Sequence, residues 1–155
     1  MRKNKAKKHL IKPDPIYGDT MITKFVNNMM IKGKKSLSYS IFYSVIHSIK
    51  NKLKEDGILV WRKAMHNVTP SIEVKSRRIG GANFHVPTEV RPDRKISLAM
   101  KWIINSARKR NEKTIRLKLL GEIIDAYNMT GNAFKKKENT HKMAESNKAF
   151  AHFKF

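Results

Sequence analysis

The stretch that most constrains the fold is residues 70–92, which read PSIEVKSRRIGGANFHVPTEVRP. Two short runs rich in β-branched and aromatic residues, 72–77 and 84–90, flank a pair of adjacent glycines. Such a pair between two β-type runs is a hairpin signal, and the prolines at either end mark where strands meet helices. The sequence therefore predicts a two-stranded β-arm at about residues 72–90 inside an otherwise helical chain.

The apolar residues of the β-arm predict its register. They are Ile72 and Val74 in the first strand, and Phe84, Val86 and Val90 in the second. Because a one-residue slip would send one set to the opposite face, we expect a loop with an odd number of residues, centred on Gly81. The expected pairs are Arg78 with Phe84, Ser76 with Val86, Val74 with Thr88 and Ile72 with Val90. This register is unfavourable in one respect, because it places the like charges of Glu73 and Glu89 opposite each other.

The chemistry of the β-arm changes from its base to its tip. Toward the tip lie hydrogen-bond donors without a neighbouring acid, namely Lys75, Arg77, Arg78, Asn83 and His85. An isolated two-stranded ribbon is marginally stable in water, so a basic one that projects from a domain indicates a partner that orders it. The alternative is a surface hairpin whose charges are simply solvated.

The charge balance restricts the partner. The 155 residues, enough for one domain with a core, carry 34 Lys and Arg against 12 Asp and Glu, a net charge of +22. A polyanion is implied, either nucleic acid or an anionic membrane surface. The longest apolar run is residues 58–61, whereas a spanning helix needs ~20 residues. We therefore expect nucleic acid and no membrane.

The amino end and the lack of cysteine add two expectations. Residues 1–12 have no apolar segment behind their basic residues, so they predict an extended basic arm and not a secretory signal. Without cysteine there is no disulfide and no thiolate metal site, which fits a reducing cytoplasm. We expect residues 13–155 to form a single helical domain that carries the β-arm.

Apolar residues recur at helical spacing in five segments, at about residues 20–31, 36–54, 58–67, 92–110 and 114–128. We expect a sixth helix at about residues 132–148. Asp19, Ser36 and Thr114 are the expected N-caps of the first, second and fifth helices. In the second helix the spacing places Leu37 on the buried face together with Phe42. The expected fold class is a mostly α, six-helix bundle with a protruding two-stranded β-hairpin arm between helices three and four.

The fourth predicted helix has a surface of one sign. Its cations, with no acid between Asp93 and Glu112, are Arg94, Lys95, Lys101, Arg108, Lys109 and Arg110. Solvated helices normally mix both signs for i,i+4 pairs. The pattern therefore favours contact with a polyanion over an unpaired solvated face.

The carboxyl end, AFAHFKF, leaves two interpretations open. Aromatic residues interleaved with cations suit stacking on nucleobases. A terminus that folds its aromatic side chains onto its own domain fits the same pattern.

Other classes of function have less support. The sequence has no Walker-type loop, no His-Glu-x-x-His motif, no cysteine nucleophile and no glycine-framed serine, so we expect no enzyme, no cofactor and no metal. A helix-turn-helix DNA-binding protein would concentrate base-reading side chains on one helix. Here the cations are spread over the amino arm, the β-arm and helices four and six, so we expect RNA and not DNA.

Motifs along the whole chain resemble the family of the seventh protein of the small ribosomal subunit, in its bacterial form. They are PDP at 13–15, KFVNNMM at 24–30, GKKS at 33–36, IEVKSRRIGG at 72–81, VRPDRK at 90–95, AMKWI at 99–103, ARKRNEK at 107–113 and HKMAESNKAFAHFKF at 141–155. The resemblance implies a six-helix bundle with a β-arm and a primary binder of small-subunit rRNA that nucleates assembly of the head. It places the β-arm and the carboxyl-terminal region near exit-site tRNA and mRNA, close to the decoding region.

The resemblance also implies site residues and neighbours. The expected rRNA-binding residues are Arg2, Lys3, Lys5, Lys7, Lys8, Lys34, Lys35, Lys75, Arg77, Arg78, Arg91, Arg94, Lys95, Lys101, Trp102, Arg108, Lys109 and Arg110. Those expected near tRNA or mRNA are Arg77, Arg78, Gly80, Gly81, Asn83, Lys142 and Lys148. The implied neighbours are the ninth and eleventh small-subunit proteins, in the cytoplasm. Helix three departs from the family pattern, since Arg62 and Lys63 stand in a helix where many relatives carry acids.

Overall fold

The computed structural model describes residues 9–153, within which the chain forms six α-helices, two antiparallel β-strands and a short 3-10 helix. The helices are α1 (Thr20–Met29), α2 (Lys35–Leu53), α3 (Gly57–Val68), α4 (Pro92–Arg108), α5 (Ile115–Tyr127) and α6 (Gly131–Ser146). The strands β1 (Ile72–Ile79) and β2 (Ala82–Glu89) stand between α3 and α4, and the 3-10 helix Lys148–Phe153 follows α6. The predicted fold class is confirmed. Most of the predicted amino arm lies outside the described residues.

The sequence predicts side-chain N-caps for three helices, and the structure has two of them. Asp19 and Thr114 precede α1 and α5, and their side-chain oxygens accept backbone N–H groups of the first turn. The predicted cap at Ser36 is wrong, because Lys34 precedes the first residue of α2 and no side chain caps this helix. Gly33, at φ +75°, supplies the turn that lets α2 begin early.

The core forms where α5 packs against α2, α3 and α4. Phe25, Phe42 and Trp61 are fully buried and make tilted and edge-to-face contacts, with ring centroids 5.4 to 5.6 Å apart. Leu37, predicted to point inward, is 53% exposed, because the first turn of α2 lies beside an open groove. No helix within residues 9–153 is long and apolar enough to cross a membrane.

The β-arm has a different register from the predicted one. Ile79 pairs with Ala82 around a two-residue turn made of Gly80 and Gly81. Both glycines have positive φ, +56° and +89°, as a type I′ turn requires. The loop therefore has an even number of residues, and each predicted pair is wrong by one position.

This register reverses which residues of β1 face the domain. Glu73 pairs with Thr88 and both are buried, whereas Val74 pairs with Pro87 on the opposite face. The predicted opposition of Glu73 and Glu89 is therefore wrong. The prediction assumed an apolar inner face, but the inner face contains a carboxylate that is neutralised by Lys75 of the same strand and by Arg94 of α4.

The carboxyl-terminal elements pack against the β-arm. Both α6 and the 3-10 helix contact its strands. The ring of Phe150 lies 5.4 Å from that of Phe84, and the N–H of Ser71 donates to Nε2 of His141 at 3.2 Å. For Phe150, the structure thus favours the second interpretation of the carboxyl end, in which the terminus folds onto its own domain.

Candidate nucleic-acid interface

At the base of the β-arm, one buried carboxylate contacts two cationic side chains. Nε of Arg94 donates to both oxygens of Glu73, at 2.9 and 3.1 Å, and Nζ of Lys75 lies 3.2 Å from the same carboxylate. Burial alone would raise the pKa of Glu73, but the two cations outweigh it and lower the pKa below its ordinary value. The contact ties β1 to α4. The Arg94 side chain remains 55% exposed, so its terminal amino groups can bind a second anion.

The solvent-facing side of α4 continues the positive surface from the β-arm. Its exposed cations and those at its ends are Arg91, Lys101, Arg108 and Lys109. None of these four forms an ion pair with a carboxylate among residues 9–153. Lys95 lies closer to the arm, 3.8 Å from Glu89, and Trp102 is half-buried against the core. The helix therefore presents cations from a rigid, packed support.

The turn between α1 and α2 presents a second group of cations. Lys32, Lys34 and Lys35 are all exposed, and Lys32 adopts a positive φ of +51°. Nζ of Lys35 lies 5.9 Å from the centroid of the Tyr39 ring, within cation–π range. Because the turn is short and held by a helix at each end, it keeps these charges in a fixed arrangement.

The tip of the β-arm differs in having few internal contacts. Arg78, Gly80, Gly81 and Asn83 are exposed, and Arg77 is half-buried. Closer to the base, Oγ of Ser76 lies 3.2 Å from Nδ1 of His85 across the strands. We call residues 77–83 the arm tip; its arginines have no carboxylate within ion-pair distance among the described residues.

Arg110 is unlike the other predicted site residues, because carboxylates surround it. Its guanidinium donates to Asp125 at 2.6 Å, to Glu112 at 2.8 Å and to Glu122 at 3.1 Å. The hydrogen bonds to Asp125 and Glu112 raise the pKa of Arg110, and the same guanidinium lowers the pKa of Glu112. Glu122 is fully buried and also accepts the N–H of Ala133 at 2.8 Å. We call Arg110, Glu112, Glu122 and Asp125 the carboxylate cluster.

The two predicted lysines at the carboxyl end, Lys142 and Lys148, are exposed, and Lys148 lies beside the base of the β-arm. His141 is partly buried between α6 and β1, and this burial, followed by the charge of Lys137, lowers its pKa. A neutral imidazole suits its geometry, since Nε2 accepts the N–H of Ser71. The side chain of His141 therefore connects α6 to the β-arm, and it is not one of the cations that could bind RNA.

The structure also contains an open cleft of mixed polarity that the sequence analysis missed. It lies between residues 9–11, α1 and the start of α4, with a volume of about 660 Å³. Its polar lining residues are His9, Thr20, Lys24, Asn27, Asn28, Asp93 and Ser97. The signal was in the motif KFVNNMM, whose two asparagines fall on the polar side of an otherwise apolar helix.

Two cations of helix three have partners within the chain. Arg62 forms an ion pair of 2.7 Å with Asp19, and Nζ of Lys63 lies 4.5 Å from the centroid of the Tyr127 ring. Both side chains therefore make contacts inside the domain. Within residues 9–153, no group of three or more His, Cys, Asp or Glu side chains is arranged to hold a metal.

The amino-acid sequence of the chain is similar to those of known proteins. A family model described as "Ribosomal protein S7p/S5e" matches residues 1–148. Among curated proteins, the small ribosomal subunit protein uS7 of Cytophaga hutchinsonii is 57% identical over 155 residues, covering all of both chains. The protein of the same name from Phocaeicola vulgatus is 55% identical over the whole of both chains, and that of Maridesulfovibrio salexigens is 54% identical over 99% of each. The chain belongs to the ribosomal protein S7p/S5e family.

Proposed function

We propose that this chain is a structural, non-catalytic RNA-binding protein that binds small-subunit rRNA directly and nucleates assembly of the head of that subunit. The names of its relatives in three bacteria support a place in the small ribosomal subunit. The observation that carries the proposal is the arrangement of exposed cations on three separate elements: the α1–α2 turn, α4 and the β-arm. The turn and α4 have fixed relative positions because α1, α2 and α4 share one core, and the contact between Glu73 and Arg94 attaches the base of the β-arm to α4.

Three positive surfaces on one rigid domain can hold several RNA segments together. Each Lys or Arg that neutralises a phosphate releases counterions, which supplies affinity without reading sequence. The fixed geometry adds specificity, because only an RNA fold that presents phosphates at matching positions contacts all three surfaces. A protein of this kind can select the folded head rRNA while it binds mainly to the phosphate backbone of that RNA.

The arm tip has a second role in the proposal, near exit-site tRNA and mRNA. Its cations stand at the end of a ribbon whose base is attached to α4 through Glu73 and to α6 through His141. The tip can therefore reach RNA that is not part of the primary site. The proposed site residues toward this RNA include Arg77, Arg78 and the glycines of the turn, with Lys142 and Lys148 nearby on the carboxyl-terminal side. The ninth and eleventh small-subunit proteins are the proposed neighbours.

Equilibrium binding tests the proposal. The full chain is titrated against a transcript of the head domain of small-subunit rRNA, and against DNA duplex of the same total charge, over a series of salt concentrations. We expect tight binding to the transcript, with a log–log salt slope of about −0.7 to −0.9 per phosphate contacted, and much weaker binding to the duplex. Equal affinity for both nucleic acids would contradict selective rRNA binding, and a flat salt slope would contradict the electrostatic mechanism.

A further inference from the structure

An apolar groove opens where the α1–α2 turn meets α2 and α5. Its apolar lining residues are Met29, Ile31, Leu37, Ile41 and Ile115, and its volume is about 350 Å³. Ile31 is 58% exposed and Leu37 is 53% exposed, although the helical spacing of α2 predicts that Leu37 is buried. The chain therefore leaves two large apolar side chains uncovered at one place.

The rim of this groove is positive. Lys32, Lys34 and Arg108 line it, and no Asp or Glu does so among the described residues. Nη2 of Arg108 donates to the backbone carbonyl of Met29 at 3.0 Å, which fixes the guanidinium at the edge of the groove. The side chain of Arg108 is nevertheless exposed, so its planar group can still contact a ligand.

An apolar floor with a wholly cationic rim matches the chemistry of a nucleotide. A nucleobase has two apolar faces, and the phosphates on either side of it are anionic. Unstacked bases in RNA loops are bound by apolar or aromatic contact and by stacking on arginine planes. An exposed apolar patch often marks a protein interface instead. However, the absence of acid from the described lining, together with the net charge of +22, favours an anionic occupant.

We propose that this groove holds one unstacked base of the rRNA. The base contacts Leu37 and Ile31 on one face and the guanidinium of Arg108 at its edge, while Lys32 and Lys34 bind the flanking phosphates. The proposal rests on the proposed function and deepens it, because it adds a base-binding pocket to a surface otherwise suited to phosphates. The site would let the protein recognise an irregular, unpaired nucleotide within the folded head rRNA.

The first test separates apolar from ionic contributions. Ile31→Ser/Leu37→Ser should weaken binding to the head-domain transcript by about tenfold, the scale of losing one stacked base, and leave the salt slope unchanged. Lys32→Ala/Lys34→Ala should instead make the slope shallower by about 1.4 to 1.8. The matched control is Leu59→Ser, which removes a leucine that is 62% exposed on α3, and it should change affinity less than about twofold. Urea unfolding of all variants establishes that the exposed substitutions leave the fold intact.

A second test is independent of affinity. A photoreactive benzoylphenylalanine placed at position 37 is irradiated in reconstituted small subunits, and the attached molecule is identified. Crosslinking to a nucleotide of the rRNA supports the base pocket, whereas crosslinking to a neighbouring protein overturns it. Equal affinities of Ile31→Ser/Leu37→Ser and Leu59→Ser for the transcript would also overturn it. If the unaltered chain does not bind the transcript at all, the proposed function itself has failed, which is a distinct result.

Discussion

The carboxylate cluster and the arm tip use arginine for opposite purposes. In the cluster, one guanidinium is surrounded by three carboxylates, one of which is fully buried. At the arm tip, Arg77 and Arg78 have no such partners among the described residues. With only 12 acids in a chain of 155 residues, concentrating three of them around Arg110 leaves other cations unpaired.

This contrast shows that cationic residues in one chain have to be classified by their surroundings and not by sequence motif. Arg110 belongs to the ARKRNEK motif together with Arg108 and Lys109, yet those two neighbours are exposed whereas it joins α5 and the start of α6. We therefore expect Arg110 to stabilise the fold and its neighbours to be available to RNA.

The largest effect is expected from breaking the carboxylate cluster. Arg110→Met keeps the aliphatic bulk but leaves Glu122 buried without its cation, which should lower the free energy of unfolding by about 3 kcal/mol. Urea denaturation at neutral pH measures the loss. The matched control is Lys109→Met at the exposed neighbouring position, which should cost less than about 0.5 kcal/mol.

A second substitution identifies the cause of that loss. Adding Glu122→Gln to Arg110→Met removes the buried charge while keeping an acceptor for the N–H of Ala133, so part of the stability should return. If the double variant is no more stable than Arg110→Met, the loss comes from packing and not from an uncompensated charge. Packing contributes as well, since a Cβ added at Gly121 would lie only 2.8 Å from Nη2 of Arg110.

Removing exposed cations should affect binding and not folding. Lys34→Ala/Lys35→Ala/Lys101→Ala should weaken binding to the head-domain transcript by about 3 kcal/mol, at about 1 kcal/mol for each charge-assisted contact. The salt slope should become shallower by about 2.1 to 2.7. Filter binding or fluorescence titration gives both values. Lys50→Ala/Lys52→Ala/Lys54→Ala is the control, because it removes the same charge from the far end of α2; an equal loss there would mean that net charge alone drives binding.

Breaking the ion pairs at the base of the β-arm should have a smaller effect, since Arg94 is half exposed. Glu73→Gln should lower the free energy of unfolding by about 1 kcal/mol at pH 7. The folded-state pKa of Glu73 is lowered, so its stabilisation is present above its unfolded-state pKa and is lost as the pH falls through the folded-state value. The difference between the two proteins should therefore shrink in acid. Glu89→Gln, in a weaker pair of 3.8 Å, is the control and should show less change.

The sequence predicted those parts of the fold that depend on local patterns. Helical spacing predicted the first five helices, and Asp19 and Thr114 marked the starts of two of them. The register of the β-arm depended on the conformation of Gly80 and Gly81 and on a cation from α4 that neutralises Glu73, neither of which a strand's own pattern reveals. The carboxylate cluster was missed for a similar reason. The orientation of the Arg110 side chain depends on how α5 packs, and the local sequence does not reveal that packing.

The arm tip should be dispensable for folding and for incorporation into small subunits. Arg77→Ala/Arg78→Ala should change stability by less than about 0.5 kcal/mol and leave incorporation into small subunits intact. Under the proposed function, exit-site tRNA occupancy should fall in subunits that carry it. Lys135→Ala/Lys136→Ala, two exposed cations of α6, is the control. Failure of the tip variant to assemble, while the Lys34, Lys35 and Lys101 variant assembles normally, would reverse the assignment of roles.

The smallest effect concerns the attachment of α6 to the β-arm. Burial and Lys137 lower the folded-state pKa of His141, so below its unfolded-state pKa the unfolded chain binds the proton more readily than the folded one. Stability should therefore fall as the pH drops from 7 through the unfolded-state pKa, and should level off below the folded-state pKa, where both states are protonated.

Protonation also removes the acceptor that Nε2 offers to the N–H of Ser71. His141→Asn, which does not titrate, should weaken this dependence by less than about 1 kcal/mol. Protection of the Ser71 amide against exchange, relative to its intrinsic rate, should fall in acid only in the unaltered protein. If exchange at Ser71 has the same pH profile in both proteins after correction for intrinsic rates, His141 does not control the base of the arm.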